Sequence, residues 1–290
     1  MEFPIAENKT LVEIALAEDI GGGDATSLAL VPESARLSAR IIAKGEGILC
    51  GGPAVEQVFA LLDERVRVGL LLPDGTAVFR GDVVAEIDGP ARSVLSGERT
   101  AMNFLCRLSG VATTANAFAE RLSGTACEVL DTRKTTPGMR AVEKYAVAVG
   151  GGGNHRFGLW DMILVKENHI ASAGGFRHAL EKLFGEGAPA LPVEVEVRNL
   201  EELEIALEYP VDRIMLDNFI IPQIERAIDL RTLRGANIPF EVSGNITLDS
   251  CRAIAETGVE FISSGAMTHS APAMDFSMIA TIIHSRDEAL

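Results

Sequence analysis

The chain has only four cysteines, and they are too scattered to form a cysteine motif. Cys50, Cys106, Cys127 and Cys251 include no C-x-x-C pair. This spacing argues against a disulfide framework and against a structural zinc site. We therefore expect the four side chains to pack as small apolar groups.

The chain also lacks long apolar runs and an excess of positive charge. Its uncharged apolar segments are short pieces such as Met162–Val165, far below the ~20 residues that span a membrane. Lys and Arg number 26 against 41 Asp and Glu, a net charge of −15, which disfavours nucleic acid and anionic membranes as partners. The acidic start of the chain lacks the layout of a secretory signal. We expect a cytoplasmic protein.

What is present is the composition of a globular protein, with 47% apolar and 23% charged residues. In the first hundred residues, strand-like runs such as Leu37–Ala43 and Val83–Ile87 are separated by glycine turns, which predicts a small α/β domain. Helical spacing follows over Ala91–Leu108 and Val111–Leu122, with a predicted break at Gly110. These two helices mark the expected domain boundary.

Beyond residue 124 the pattern becomes strand, loop and helix, repeated. The strand ends lie 21 to 35 residues apart with helical stretches between them, which predicts parallel strands with right-handed crossovers. This period favours an α/β barrel over a doubly wound open sheet, because almost every strand ends in a polar residue where barrel active sites lie. The predicted strands are Cys127–Leu130, Met162–Val165, Val193–Val195, Arg213–Leu216, Ile238–Val242 and Glu260–Ser263.

The segment Asp131–Lys166 reverses the sign of the charge. It carries six basic residues and three acids inside an acidic chain, and such a reversal can focus a site for anions. Arginine forks suit carboxylate and phosphate groups, so a polyanionic ligand is expected. Lys166 could instead form a Schiff base. Gly150–Gly153 could cradle phosphate or act as a lid.

Acids and glycine turns follow the later strands. In Val193–Val197 a period of two puts Glu194 and Glu196 on one face, although Glu194 could equally be a structural partner of a barrel arginine. Asp217 could hold ribose hydroxyls or a divalent cation. The turns Ser243–Asn245 and Ser264–Ala266 are predicted phosphate contacts, since glycine loops after the last barrel strands recur in that role. The residues thus predict a barrel enzyme that binds a phosphorylated ligand and a second anion.

Several longer motifs resemble one family, quinolinate phosphoribosyltransferase, also called nicotinate-nucleotide pyrophosphorylase (carboxylating). The match extends over nearly the whole chain, and motifs of this length in this order are highly specific. The matching stretches are Glu18–Gly21, Gly23–Ser27, Gly97–Leu105, Asp131–Gly138, Gly152–Leu159, Lys166–His169, Leu216–Phe219 and Thr268–Ser270.

The resemblance implies an α/β fold of the type II phosphoribosyltransferase kind. An N-terminal α/β sandwich domain is expected over residues 1–109, joined by the C-terminal segment 271–290. An incomplete parallel (β/α) barrel is expected over residues 110–270. Family members work as homodimers or as larger assemblies such as a hexamer built as a trimer of dimers.

The resemblance also implies a reaction. Quinolinate and phosphoribosyl pyrophosphate combine, with Mg²⁺, to give nicotinate mononucleotide, pyrophosphate and carbon dioxide in NAD biosynthesis. Attack by the ring nitrogen makes a pyridinium, whose charge can stabilise the carbanion left by the departing carboxylate. No separate cofactor is then needed for the decarboxylation.

The family pattern assigns roles to residues of this chain. Quinolinate is expected to contact Arg133, His155, Arg156 and Lys166, with Thr132 also on the substrate and Lys134 reaching toward either substrate. Arg99 is expected to enter the neighbouring subunit's site. The catalytic residues implied are Lys134, Lys166, Glu196 and Asp217, of which the two acids also hold the metal, directly or through water or substrate. The 5-phosphate contacts implied are Ser243, Gly244, Asn245, Ser264, Gly265 and Ala266.

One position departs from many relatives, which carry two glycines where this chain has Gly244 and Asn245. Asparagine tolerates left-handed backbone geometry and adds an amide hydrogen bond, so no change of activity is expected.

Three alternatives remain open at the level of sequence. A family paralogue linked to molybdate transport would be expected to lack the Asn154–Arg156 and Lys166–His169 motifs, which are complete here. A Schiff-base lyase would use Lys166. A lipoyl or biotinyl carrier would use the hairpin-like stretch Val78–Ile87, which lacks a modifiable lysine at its tip.

Overall fold

The computed structural model describes residues 1–283, which form two compact units. Of the described residues, the first unit contains 1–116, 135–151 and 270–283, and the second contains 117–134 and 152–269. Residues 284–290, the end of the segment expected to rejoin the N-terminal domain, lie outside the described residues.

The helices and strands are numbered in chain order. Up to residue 122 they are α1 (Ile5–Ile20), α2 (Ala25–Leu30), β1 (Arg36–Ala43), β2 (Gly47–Ile48), α3 (Gly52–Leu62), β3 (Arg67–Leu70), β4 (Ala77–Val78), β5 (Val83–Pro90) and α4 (Ala91–Leu122). Beyond it they are β6 (Glu128–Leu130), α5 (Arg140–Val149), β7 (Ile163–Val165), α6 (Glu167–Ala173), α7 (Phe176–Phe184), β8 (Val193–Val197), α8 (Leu200–Ala206), β9 (Arg213–Asp217), α9 (Ile221–Leu233), β10 (Phe240–Ser243), α10 (Cys251–Ala255), β11 (Phe261–Ser263), α11 (Ala266–His269) and β12 (Phe276–Ile283).

The first unit is built on an antiparallel sheet with the strand order β12-β1-β5-β3. In β1 alternate residues are buried, which is the period of two expected when one face of a sheet covers a core. Helix α3 packs against β3, and α1 packs against α3. Strand β12 brings the end of the described chain back to this sheet beside β1.

Helix α4 corrects one prediction, because it continues through Gly110 without the expected break. Gly110 does not form a turn; it allows another segment of the backbone to approach the helix closely. A side chain at Gly110 would overlap the backbone carbonyl of Pro272, so only glycine fits the contact. The apolar spacing on both sides then reads as one face of a single helix, in which Leu105, Leu108 and Val111 are buried.

The second unit confirms the six predicted strands as one parallel sheet with the order β6-β11-β10-β9-β8-β7. Strands β7 to β11 follow one another in sequence order, and β6 lies beside β11. A doubly wound sheet would instead reverse its order at a switch point. Within residues 1–283 no ladder joins β6 to β7, so the sheet is an incomplete barrel. The predicted fold class is therefore confirmed.

The parallel register brings the strand ends together at one edge of this sheet. Ser243 pairs with Asp217 on one side and with Ser263 on the other. The residues before them, such as Leu216, Val242 and Ile262, are almost completely buried. The polar side chains that follow each strand therefore share one edge, as barrel active sites require.

All four cysteines are free thiols, three of them buried and Cys106 half-buried. Burial raises the pKa of the Cys127 thiol to about 12, so this thiol stays protonated and packs as an apolar group. Among the helices of residues 1–283, none combines the length and the hydropathy that crossing a membrane requires.

Candidate functional site

A cavity of about 630 Å³ opens at the carboxyl edge of the six-stranded sheet, within the second unit. It brings together every predicted substrate-binding residue except Arg99. Those that line it are Thr132, Arg133, Lys134, His155, Arg156, Lys166, Glu196, Asp217, Ser243, Gly244, Asn245, Ser264, Gly265 and Ala266. Arg99 is exposed on α4 in the first unit and does not line this cavity.

The basic wall of the cavity comes from the segments after β6 and β7. Arg133 and Lys134 are exposed, whereas Arg156 is buried. Burial, together with the charge of Arg133, lowers the pKa of the Arg156 guanidinium. Its Nη1 donates to the carbonyl of Met162 at 3.1 Å, but its buried Nε has no hydrogen-bond partner among the described residues. An anion that accepted this hydrogen bond would relieve the cost of an unpaired buried donor.

Asp131 positions this wall from the end of β6. Its Oδ1 accepts from the backbone N–H of His155 at 2.9 Å, and its Oδ2 accepts from the side chain of Asn154 at 2.7 Å. Asp131 is completely buried, so these charge-assisted hydrogen bonds are well shielded from water. They fix the segment that carries Arg156.

Below the cavity lies a buried ionic network that we name the barrel network: His155, Glu194, Arg213 and Glu241. The His155 Nε2 lies 2.7 Å from Glu194 Oε2 and 3.5 Å from Glu241 Oε2. Arg213 donates to Glu241 at 2.8 Å and lies over the ring of Phe261, 4.2 Å from its centroid. Of the two readings open at the level of sequence, the structure gives Glu194 the structural one, with His155 as its hydrogen-bond partner.

The barrel network is a hydrogen-bonded cluster rather than a metal site, although its three ligand atoms lie within 4.8 Å of one another. The backbone N–H of Arg156 donates to His155 Nδ1 at 2.7 Å. A nitrogen that accepts carries no proton, so the proton of the imidazole is on Nε2 and points toward the carboxylates. That nitrogen then has no lone pair for a metal ion.

Burial governs the charges of the network. It raises the pKa of Glu194 and of Glu241, and in Glu241 the neighbouring charge of Glu194 raises it further. One oxygen of each carboxyl group is buried without a hydrogen-bond partner among residues 1–283. Two such carboxyl groups can be buried together only if their negative charge is neutralised, by protonation or by the nearby Arg213.

Glu196 and Asp217 supply the carboxylates at the cavity itself. Lys166 Nζ lies 3.2 Å from Glu196 Oε2, and Asp217 Oδ2 accepts from the side chain of Asn218 at 2.9 Å. Lys166 is about half exposed (45%) and ion-paired, unlike the desolvated lysine that a Schiff-base mechanism needs. The two carboxylates offer oxygen atoms, which are the ligands that Mg²⁺ prefers.

The glycine turns border the cavity as predicted, but the glycine run does not. Ser264 Oγ donates at 3.0 Å to the carbonyl of Ile246, the residue that follows the first turn. Gly265 leaves room for Lys134, whose Cδ would lie 2.8 Å from a Cβ at that position. None of Gly150–Gly153 lines the cavity. Gly153 instead forms a parallel bridge with Leu130 of β6, donating to the Val129 carbonyl at 2.8 Å and accepting from the Asp131 N–H at 3.0 Å.

Sequence patterns missed five polar residues that line the cavity: Asn218, Glu241, Thr247, Ser263 and His269. Glu241 lies two residues before Ser243 in β10, so the period of two that selected Glu194 and Glu196 could have found it. Asn218 lies inside a matching motif directly after Asp217, and His269 lies inside the matching motif Thr268–Ser270.

The comparisons with known proteins agree along the chain. The family model "Quinolinate phosphoribosyl transferase, N-terminal domain" matches residues 24–109, and the corresponding C-terminal domain matches residues 111–279. The probable nicotinate-nucleotide pyrophosphorylase (carboxylating) of Bacillus subtilis is 43% identical over 94% of this chain and 93% of its own. The chloroplastic enzyme of that name from Oryza sativa is 40% identical over 95% of this chain and 78% of its own.

Solved structures agree as well. The nicotinate-nucleotide pyrophosphorylase from Francisella tularensis is 42% identical, with a TM-score of 0.89 over 97% of this chain and 98% of that one. The fold is that of a phosphoribosyltransferase, an enzyme that transfers a phosphoribosyl group. Within that class the chain belongs to the quinolinate phosphoribosyltransferase family, whose decarboxylating reaction serves NAD biosynthesis.

Proposed function

We propose that the family's reaction takes place in the cavity of the second unit: quinolinate and phosphoribosyl pyrophosphate react there to give nicotinate mononucleotide, pyrophosphate and carbon dioxide. One observation carries the proposal. The basic residues, the two acids and both glycine turns that were selected separately from the sequence line a single cavity. Its mixed charge suits two anionic substrates that must meet.

The basic wall would hold quinolinate. Arg133 and Arg156 present fixed donor forks to the two adjacent carboxylates, and Lys166 adds a point charge. Thr132 Oγ1 accepts from the backbone N–H of Lys134 at 3.0 Å, which shapes the turn before Lys134. His155 lines the same wall with its ring held by Glu194. Quinolinate held in this way has its ring nitrogen free to attack the ribose carbon.

The acids and the turns would hold phosphoribosyl pyrophosphate. Positive charge develops on the ribose ring as pyrophosphate leaves, and the carboxylates of Glu196 and Asp217 stabilise it. The same carboxylates fit a Mg²⁺ ion bound together with the substrate, since Mg²⁺ commonly uses one or two carboxylates with substrate phosphates. When bound, Mg²⁺ neutralises charge on the leaving group. The turns Ser243–Asn245 and Ser264–Ala266 would bind the 5-phosphate.

Release of labelled carbon dioxide tests the proposed reaction. With quinolinate labelled in the carboxyl group next to the nitrogen, we expect release only when phosphoribosyl pyrophosphate and Mg²⁺ are both present, and EDTA should stop it. Omission of each component in turn is the control. Turnover of phosphoribosyl pyrophosphate with a different aromatic acid, but not with quinolinate, would move the substrate assignment to that of a paralogue.

We also propose that the enzyme is a homodimer, alone or as the unit of a hexamer built from three dimers, in which Arg99 completes the neighbour's site. Arg99 is exposed on α4 and absent from the cavity of its own chain, which supports a role toward another subunit.

A cytoplasmic location is proposed as well, because four free thiols are typical of a reducing compartment.

Subunit exchange tests the shared site. Arg99→Ala and Lys166→Ala should each abolish most activity, because each removes a cation from every site of its own dimer. A mixture allowed to exchange should recover about a quarter of the wild-type activity, since half the dimers are mixed and each has one intact site. Each variant mixed with itself is the control. No recovery after demonstrated exchange would contradict the shared site.

A further inference from the structure

Two asparagines face each other where β9 and β10 end. Asn218 has φ of 57° and Asn245 has φ of 51°, and among residues 1–283 they are the only residues other than glycine with positive φ. Left-handed geometry costs a side-chain-bearing residue free energy, so it persists only where the surroundings require it. Both residues line the cavity, which places this strain at the proposed substrate site.

The backbone of Asn218 is held by the neighbouring strand. Its N–H donates to the carbonyl of Ser243 at 2.8 Å, which continues the pairing of Asp217 with Ser243 by one residue. The left-handed turn at Asn218 ends β9 and brings its side chain back over Gly244. A Cβ at Gly244 would overlap the Asn218 Oδ1, so glycine is required beneath the amide.

The chemistry of the neighbours fixes the orientation of the Asn218 amide. Its nitrogen lies 2.9 Å from Asp217 Oδ2, and an ionised carboxylate can only accept, so the NH₂ group must face it. The Oδ1 then faces Asn245, whose NH₂ group is 3.4 Å away. One planar amide therefore connects the ribose-side carboxylate of Asp217 to the turn proposed for the 5-phosphate.

We propose that Asn218 is a positioning residue for phosphoribosyl pyrophosphate: its amide fixes the orientation of Asp217 and its spacing from the turn Ser243–Asn245. The inference rests on the proposed function of the cavity. A ligand that spans both groups binds best when they are held at the right separation before it arrives, because less ordering is needed on binding. Quinolinate, which is assigned to the basic wall, does not depend on this spacing.

The substitution Asn218→Gly distinguishes the effect of the side-chain amide from the effect of the backbone conformation. Glycine adopts φ of 57° without strain, so the turn is kept while both side-chain hydrogen bonds are lost. We expect the Kd for phosphoribosyl pyrophosphate, measured by titration calorimetry with Mg²⁺ and no quinolinate, to rise about tenfold or more, as loss of a charge-assisted hydrogen bond implies. The Kd for quinolinate should change less than twofold, and the KM values should follow the same split.

Two further variants make the test specific. Asn218→Asp keeps the shape and tolerates positive φ, but it sets a second carboxylate against Asp217, so it should weaken phosphoribosyl pyrophosphate at least as much as Asn218→Gly does. Asn237→Gly makes the same chemical change at an exposed residue before β10 and should bind both substrates as the unaltered enzyme does. Thermal melting of all three variants shows whether each is folded.

The outcomes separate this inference from the proposed function. An unaltered chain that binds phosphoribosyl pyrophosphate but releases no carbon dioxide would overturn the function. An active unaltered chain whose Asn218→Gly variant binds phosphoribosyl pyrophosphate within twofold of it would overturn the inference. Equal weakening of both substrates would also overturn it, because a general disturbance of the site would then explain the loss.

Discussion

Replacing Arg213 with alanine is expected to lower the free energy of unfolding by about 3–5 kcal/mol, the usual cost of removing one partner of a buried ion pair. Arg213 is the cation that balances Glu194 and Glu241, both of which are completely buried. Without it, Glu241 would lose its ion-pair partner, and the two buried carboxyl groups would keep the His155 ring beside them but not the nearest cation. The stacking of the guanidinium on Phe261 would also be lost.

Urea unfolding at several pH values checks this prediction. Burial raises the pKa of both glutamates to about 7, above the unfolded value of ~4.3. The contribution of these two groups to the free energy of unfolding is therefore fully present at low pH, where both carboxyls are protonated. It is lost as the pH rises toward 7, because the folded state must then bury charges that water solvates in the unfolded state. Protonated carboxyls need no cation, so Arg213→Ala should cost less at pH 5 than at pH 8.

A surface ion pair provides the matched control. Arg177 donates to Glu208 at 2.7 Å, but both side chains are nearly half exposed. Arg177→Ala should cost less than ~1 kcal/mol at either pH. Adding Glu241→Gln to Arg213→Ala should restore part of the lost stability, because it removes one of the two uncompensated charges. A loss no larger than that of Arg177→Ala would contradict the role assigned to the barrel network.

Arg156→Ala is expected to weaken quinolinate binding by about 1.5–3 kcal/mol, which corresponds to a Kd roughly 10 to 150 times higher. The buried guanidinium has an Nε without a partner in the described structure and lies beside Arg133 at the cavity. Two cations held close together repel each other, and a ligand with two adjacent carboxylates relieves that repulsion. Arg133→Ala should have a similar effect.

Calorimetric titration with each substrate separately measures this effect. The Kd for phosphoribosyl pyrophosphate should change little in either variant, since the acids and the turns are untouched. Arg156→Lys is the conservative control: it keeps the charge but loses the fork, so its loss should be intermediate. Equal losses for both substrates would refute the assignment of the basic wall to quinolinate.

Sequence patterns predicted the barrel strands and the residues at their ends well, for a physical reason. Each of these strands is buried, so it appears in the sequence as a continuous apolar run. A polar residue directly after such a run lies at the carboxyl edge of the sheet. Arg133, Lys166 and Asp217 were found in this way. The assignment of their substrates came from resemblance, because charge and spacing alone name only an anion.

The features that were missed depend on contacts between distant residues. Gly110 looks like a helix break until Pro272 is seen against it, and no local pattern reports that approach. The period of two could place Glu241 on the same face as Ser243, but its ion pair with Arg213 on the neighbouring strand is visible only in the folded chain. Asn218 required the backbone angle and the register of β9 and β10 together. Register and close approach are properties of the folded chain.

The barrel network also constrains how the sequence can drift over evolutionary time. A hydrophobic core tolerates exchanges of similar volume one at a time, whereas a buried set of charges has to remain balanced after every step. Loss of any one of His155, Glu194, Arg213 or Glu241 leaves the others with an uncompensated charge or an unpaired proton. We therefore expect replacements at these four positions to occur together in related sequences, and sequences with only one of the four replaced to be rare.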